Sequence, residues 1–99
     1  MFVHAVYFWM NPDAPPSARE DVMGDCRELL AKIPSVRHLW TGTAAMTPRD
    51  VVDNSYDVGL LVTFDDRAGH DLYQDHPLHK QFADRNKPKW KRVQVYDFR

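Results

Sequence analysis

The sequence predicts an α+β fold: an antiparallel four-stranded sheet with its helices on one face only. Three observations lead there. Residues 2–10 and 58–62 are rich in Val, Leu and aromatic side chains and are apolar on both sides of a pleat, as in strands covered on both faces. Residues 17–32 and 66–90 carry helix-start signals and helical spacing. With 99 residues, the chain has room for one domain with one modest core, spanning residues 1–99.

Each element can be justified in order. Over Phe2 to Met10, alternation puts Phe2, His4, Val6, Phe8 and Met10 on one face and Val3, Ala5, Tyr7 and Trp9 on the other. Three prolines between Asn11 and Pro16 end that strand. Ser17 then reads as an N-cap, with Glu20 completing a capping box. The helix it opens is expected to run to about Lys32, with Val22, Cys26, Leu29, Leu30 and Ile33 on its apolar face and Ala18 and Met23 at the margin. Gly24 in its middle costs about 1 kcal/mol relative to alanine, which implies a close packing contact. Pro34 stops the helix. Val36 to Ala45 reads as the second strand, residues 46–55 as a loop, and Tyr56 to Phe64 as the third strand. Asp65-Asp66 starts a short helix to about Tyr73; His76-Pro77 starts another to about Trp90. Val93 to Phe98 is the last strand, with Val93, Val95 and Asp97 alternating against Gln94, Tyr96 and Phe98.

Strand, helix, two strands, a helical pair and a strand resemble the ferredoxin-like βαββαβ arrangement. Helices cover one face of such a sheet. The other face, holding Tyr7 and Trp9, needs a partner, and two sheets packed face to face form a dimeric α+β barrel. The sequence therefore predicts a homodimer.

Composition excludes several functions. Thirteen basic residues against fourteen acidic give a net charge of −1, with no general attraction for nucleic acid or anionic membrane. The run Lys87-Pro88-Lys89-Trp90-Lys91-Arg92 suits a helix C-terminus with Trp90 packed inward, and no nucleic-acid partner is expected. No stretch approaches the ~20 apolar residues of a membrane span. Cys26, the one cysteine, cannot form an internal disulfide, and with no signal peptide evident a cytoplasmic protein is expected.

The segment richest in chemistry is Tyr73-x-x-His76-Pro77-x-His79-x-x-Phe82. It follows a His-bearing first strand, Ile33-Pro34 after the first helix, Leu39-Trp40-Thr41-Gly42 in the second strand, and a third strand ending Val62-Thr63-Phe64. Together these resemble the stress-responsive dimeric α/β-barrel (Dabb) family over nearly the whole chain. The resemblance implies a dimeric barrel with a pocket between each sheet and its helices. Members are diverse. Some are stress-induced proteins without clear catalytic activity, while plant members similar to olivetolic acid cyclase perform a cofactor-free aldol cyclisation. In that branch a tyrosine and the motif's second histidine are catalytic, which the resemblance carries to Tyr73 and His79. It places His4, Val6, Phe8, Leu39, Leu60 and Val62 on the pocket side of the sheet. Val22, Met23, Cys26, His76 and Phe82 would line the pocket from the helices. The chain departs from the cyclases where Val22, Met23 and Cys26 replace large aromatics and where Gln74 and Asp75 replace apolar residues, which argues against a long aliphatic substrate.

The residues themselves allow two readings. With His76 as N-cap and Pro77 as N1, His79 is N3, where the helix dipole disfavours imidazolium. A neutral His79 suits a general base and Tyr73 a donor to an enolate oxygen, giving cofactor-free cyclase- or lyase-type chemistry on a small aromatic or carbonyl-bearing ligand. Alternatively, the two side chains simply fasten the helix to the sheet of a non-enzymatic dimer. A cofactor-independent monooxygenase is a third possibility by fold analogy. His70, His76 and His79 with Asp71 and Asp75 offer donors for a metal, but His76-x-x-His79 is looser than an i,i+4 ligand pair, and neither metal nor cofactor is expected.

Overall fold

The computed structural model describes all 99 residues. Strand β1 (Phe2–Met10), helix α1 (Ala18–Glu28), strands β2 (His38–Gly42) and β3 (Val58–Phe64), helices α2 (Arg67–Asp75) and α3 (Pro77–Asn86) and strand β4 (Trp90–Phe98) follow one another. All pairings are antiparallel, in the sheet order β2-β3-β1-β4. The fold is ferredoxin-like. The two strands that are apolar on both faces, β1 and β3, occupy the centre, where both faces are covered or available for cover.

Several boundaries differ from the sequence reading. Ser17 does not build a capping box. Its backbone is not in the extended conformation a capping side chain needs, and its hydroxyl donates to Asp21 Oδ2 at 2.9 Å. The α-helix ends at Glu28, and Leu30–Lys32 continue as a 3₁₀ turn. β2 is shorter than predicted because its ladder with β3 spans only His38 to Gly42. β4 starts three residues early: Met10 pairs with Trp90 across a bulge, and Asn11 Nδ2 donates to the Trp90 carbonyl at 3.2 Å. Asp66, by contrast, caps α2, accepting from the Gly69 backbone N–H at 3.0 Å.

One face of the sheet forms the core. Phe2, Val6, Phe8 and Met10 of β1 and Val58, Leu60, Val62 and Phe64 of β3 pack against Val22, Met23, Cys26, Leu29, Leu30 and Ile33. Each such side chain contributes about 1.5–3 kcal/mol when fully buried. Helix α1 lies over β2 and β3, and α2 over β3 and β1. Helix α3 is tied to α1 through the fully buried Asn86, whose Nδ2 donates to Asp25 Oδ2 at 3.0 Å and to the Phe82 carbonyl at 2.9 Å. β4 lies beyond this cover, and its inward residues Val93 and Val95 stay 40% exposed.

The opposite face is partly covered by the chain itself. Tyr56 belongs to the loop before β3, not to the strand, and packs edge-on to Tyr7 at 4.9 Å. Trp9 donates its indole N–H to Ser55 Oγ at 3.0 Å and lies under the Arg92 guanidinium at 4.2 Å. Trp40, Tyr96 and Phe98 remain 57–61% exposed on this face.

Gly24 does not mark a close contact. A Cβ built there meets nothing within 4 Å, and its φ is not positive. Gly24→Ala is therefore expected to stabilise the fold by roughly 0.5–1 kcal/mol through lower unfolded-state entropy and better helix propensity. Urea denaturation checks this, and an unchanged or lower midpoint would contradict it.

Candidate functional site

Between the bare inner face of β4 and the helical pair α2–α3 lies a cavity of ≈ 170 Å³, open to solvent on one side. The sheet contributes His4, Val6 and Phe8 from β1, Leu60 from β3, and Trp90, Val93 and Val95 from β4. The helices contribute Tyr73, Gln74, His79, Phe82 and Ala83. Nine of these twelve residues are hydrophobic, so the few polar groups decide what can be oriented inside.

The helix junction sets the positions of Tyr73 and His79. Tyr73 is near the end of α2. His76 accepts the Leu78 backbone N–H on Nδ1 at 3.0 Å, and its carbonyl accepts from His79 N at 3.0 Å and Lys80 N at 3.2 Å. That cap, with Pro77 at N1, turns the chain so that His79 faces back towards Tyr73. Their rings meet edge to face with centroids 4.9 Å apart. The aromatic contacts continue from Tyr73 to His4 at 5.8 Å, and from His79 through Phe82 and Trp90 to Phe8, with successive centroids 4.7–6.5 Å apart. No hydrogen bond joins Tyr73 to His79.

Burial governs the charge states. It lowers the His79 pKa from the ordinary 6.5, and repulsion from the neighbouring His4 and His70 adds to this. Burial pushes the Tyr73 phenol well above its ordinary value, so it stays a donor. It pushes the Cys26 thiol up to about 12, which removes it as a nucleophile. His4 is lowered by burial, opposed by Asp97, whose Oδ1 lies 2.5 Å from Nδ1. These two residues are direct cross-strand partners in the β1–β4 ladder. Trp90, lining the cavity, carries a buried indole N–H without an acceptor.

A family model described as the Stress responsive A/B Barrel Domain (Dabb) matches residues 2–99. The chain belongs to the Dabb family. Solved structures share the fold of this Dabb domain. A Dabb-family protein from Mesorhizobium loti with a ferredoxin-like fold is 25% identical over 99% of this chain and 94% of its own, with a TM-score of 0.80. A dimeric ferredoxin-like protein of unknown function from Thermobifida fusca is 24% identical over 98% and 88%, with a TM-score of 0.82. A hydroxynitrile lyase from Passiflora edulis is 18% identical over 98% and 90%, with a TM-score of 0.81. The curated proteins yield no match.

The Dabb cavity brings together seven of the candidate site residues: His4, Val6, Phe8, Leu60, Tyr73, His79 and Phe82. It does not include Val22, Met23, Cys26, Leu39, Val62 or His76. Val22, Met23, Cys26 and Val62 belong to the core and Leu39 packs against it, because α1 covers β2 and β3 rather than the side of the sheet where the cavity lies. His76 is committed to its cap. The sequence reading missed Gln74, Ala83, Trp90, Val93 and Val95 as cavity residues, and it grouped His70 with His76 and His79 as possible metal donors. His70 in fact lies against His4, with ring centroids 5.0 Å apart.

Because protonation of His79 is disfavoured in the fold, the unfolded chain takes up this proton first as pH falls. Stability is full above the ordinary imidazole pKa of 6.5 and declines below it, through the lowered native value. The urea midpoint should therefore drop between pH 7.5 and pH 5, and His79→Gln should flatten that drop. Equal slopes for the two proteins would contradict the assignment.

Proposed function

We propose that this chain, one Dabb domain over residues 1–99, is a homodimer that binds a small aromatic or carbonyl-bearing molecule in the cavity beside Tyr73 and His79. The observation that carries the reading is the aromatic cavity wall that holds a neutral imidazole against a protonated phenol. His79 takes a proton from the carbon next to a carbonyl, and the Tyr73 O–H stabilises the resulting enolate oxygen. The Trp90 indole N–H adds a second donor for a ligand acceptor. No cofactor is needed for this chemistry. The hydroxynitrile lyase with this fold is consistent with lyase-type chemistry on the same scaffold. A single buried cysteine suits a reducing, cytoplasmic setting, and no helix is long and apolar enough to cross a membrane.

The size of the cavity favours a second, non-enzymatic reading. At ≈ 170 Å³ it lies below the ~300 Å³ at the lower end for drug-sized ligands. A fragment-sized ring fits this volume; a linear polyketide does not.

Exchange of the methyl protons of acetophenone in D₂O, followed by NMR, separates the two readings. The acid/base reading expects protein-dependent exchange that falls about 100-fold or more in His79→Ala and also drops in Tyr73→Phe. No protein-dependent exchange would leave the non-enzymatic dimer, and full exchange activity in His79→Ala would remove His79 as the base.

The dimer rests on the sheet face that carries Trp40, Tyr96 and Phe98, and on the dimeric description of structures with this fold. Leu61 lies near its centre, between Ala5 and Trp40 on the neighbouring strands. Light scattering should give twice the chain mass of 11.6 kDa, and Leu61→Lys should shift the protein towards monomer while circular dichroism stays unchanged. A wild-type monomer would overturn the assembly.

A further inference from the structure

On the other side of His4 from Tyr73, the fold assembles a second group of donors. His4 from β1, His70 from α2 and Asp97 from β4 each place a ligand-type atom within 4.8 Å of the other two. His4 Nδ1 is 2.5 Å from Asp97 Oδ1, and His70 Nε2 is 4.0 Å from Asp97 Oδ2. We propose that these three residues form a binding site for a divalent first-row transition ion of the Zn²⁺ or Fe²⁺ type.

Four features of the cluster support this. First, the donor set is two imidazole nitrogens and one carboxylate, the set used by zinc and non-haem iron centres that keep open positions. Mg²⁺ and Ca²⁺ favour oxygen-only shells. Second, His70 is oriented from behind. Its Nδ1 lies 3.0 Å from Asp71 Oδ1, and an ionised carboxylate can only accept, so Nδ1 carries the hydrogen and Nε2 the lone pair. A carboxylate behind a ligating imidazole is the usual outer-sphere arrangement. Third, that Nε2 is buried and has no hydrogen-bond partner in the chain. Phe2, stacked on the ring at 4.6 Å, and Phe64, edge-on at 5.7 Å, hold it in place. An orphaned lone pair beside a carboxylate is costly without a cation or water. Fourth, a cleft lined by Phe2, Arg67, Asp71, Phe98 and Arg99 opens onto His70 and Asp97 from solvent, giving an ion a path in. Arg67 on its rim is turned to Asp71, with Nε–Oδ2 at 3.7 Å.

Metal–ligand bonds of about 2.0–2.2 Å require the donors to draw together by roughly an ångström. Asp97 has the freedom to do this, since its side chain is 37% exposed at the rim. The ion takes the place of the proton that His4 and Asp97 share, and that proton moves to His4 Nε2. This site goes beyond the Tyr73–His79 reading and does not depend on it.

The test uses full-length protein purified without a histidine tag and stripped with EDTA. Zn²⁺ affinity is read by competition with a chromogenic chelator, and Co²⁺ binding by its visible absorption. One ion per chain with a micromolar or tighter Kd is expected. His70→Ala should weaken Zn²⁺ by about 100-fold or more. Asp71→Asn, an exposed change that leaves the core untouched, should weaken it about 10- to 100-fold. His79→Ala should leave it unchanged. Zn²⁺ affinity equal in the wild type and Asp71→Asn, weaker than millimolar in the wild type, or lost in His79→Ala would overturn the site.

Discussion

Three short helices have to cover one face of a four-stranded sheet, and they reach only three of its strands. The rest of the molecule follows from that shortfall. Helix α1 lies over β2 and β3 and helix α2 over β3 and β1, while Val93 and Val95 of β4 stay 40% exposed. The bare strip beside α2 and α3 becomes the cavity. The core itself is tightly covered, with Val22, Cys26, Leu30, Val58, Val62 and Phe64 fully buried. A cavity can therefore persist only at its border, where no helix arrives to fill it.

That border also gathers histidines. His4 comes from β1, and His70 and His79 from the consecutive helices α2 and α3 far along the chain; all three enter a largely apolar neighbourhood. Burial disfavours the charged form of His4 and His79, and their mutual proximity opposes charging further. Tyr73 stands between His4 and His79, in edge contact with both. On one side, His79 and the phenol face a fragment-sized space. On the other, His4 and His70 converge on Asp97. A single strand residue, His4, thus belongs to both groups, and the β1–β4 register that sets it opposite Asp97 matters to each.

Much of this was legible in the chain. The period-two pattern of Phe2 to Met10 specified which of its residues enter the core, since a one-residue slip would have turned Phe2, His4, Val6 and Phe8 to the other face. His76-Pro77 announced its cap, and that cap fixed His79 at the third helical position. The failures have equally specific causes. Ser17 has the chemistry of a capping residue but not the backbone conformation. Gly24 is flexible without being needed for a close approach. Val22 and Cys26 were correctly placed on the apolar face of α1 and Met23 at its margin, but a helical stripe does not say which strands it will cover. That is why they are in the core and not in the cavity.

The sequence by itself determined the elements, their order, the faces of β1 and β3, and the local geometry around His76 and His79. These depend on contacts between near neighbours: alternation along a strand, spacing along a helix, a proline at a helix start. Only the tertiary structure decided what meets across the fold. His4 and Asp97 lie 93 residues apart, and nothing local specifies that β4 pairs with β1 in the register that joins them. Likewise, His70 approaches His4 only because α2 crosses the end of β1. Long-range register and helix placement are set by how the whole apolar surface is buried, and no short stretch of sequence records that.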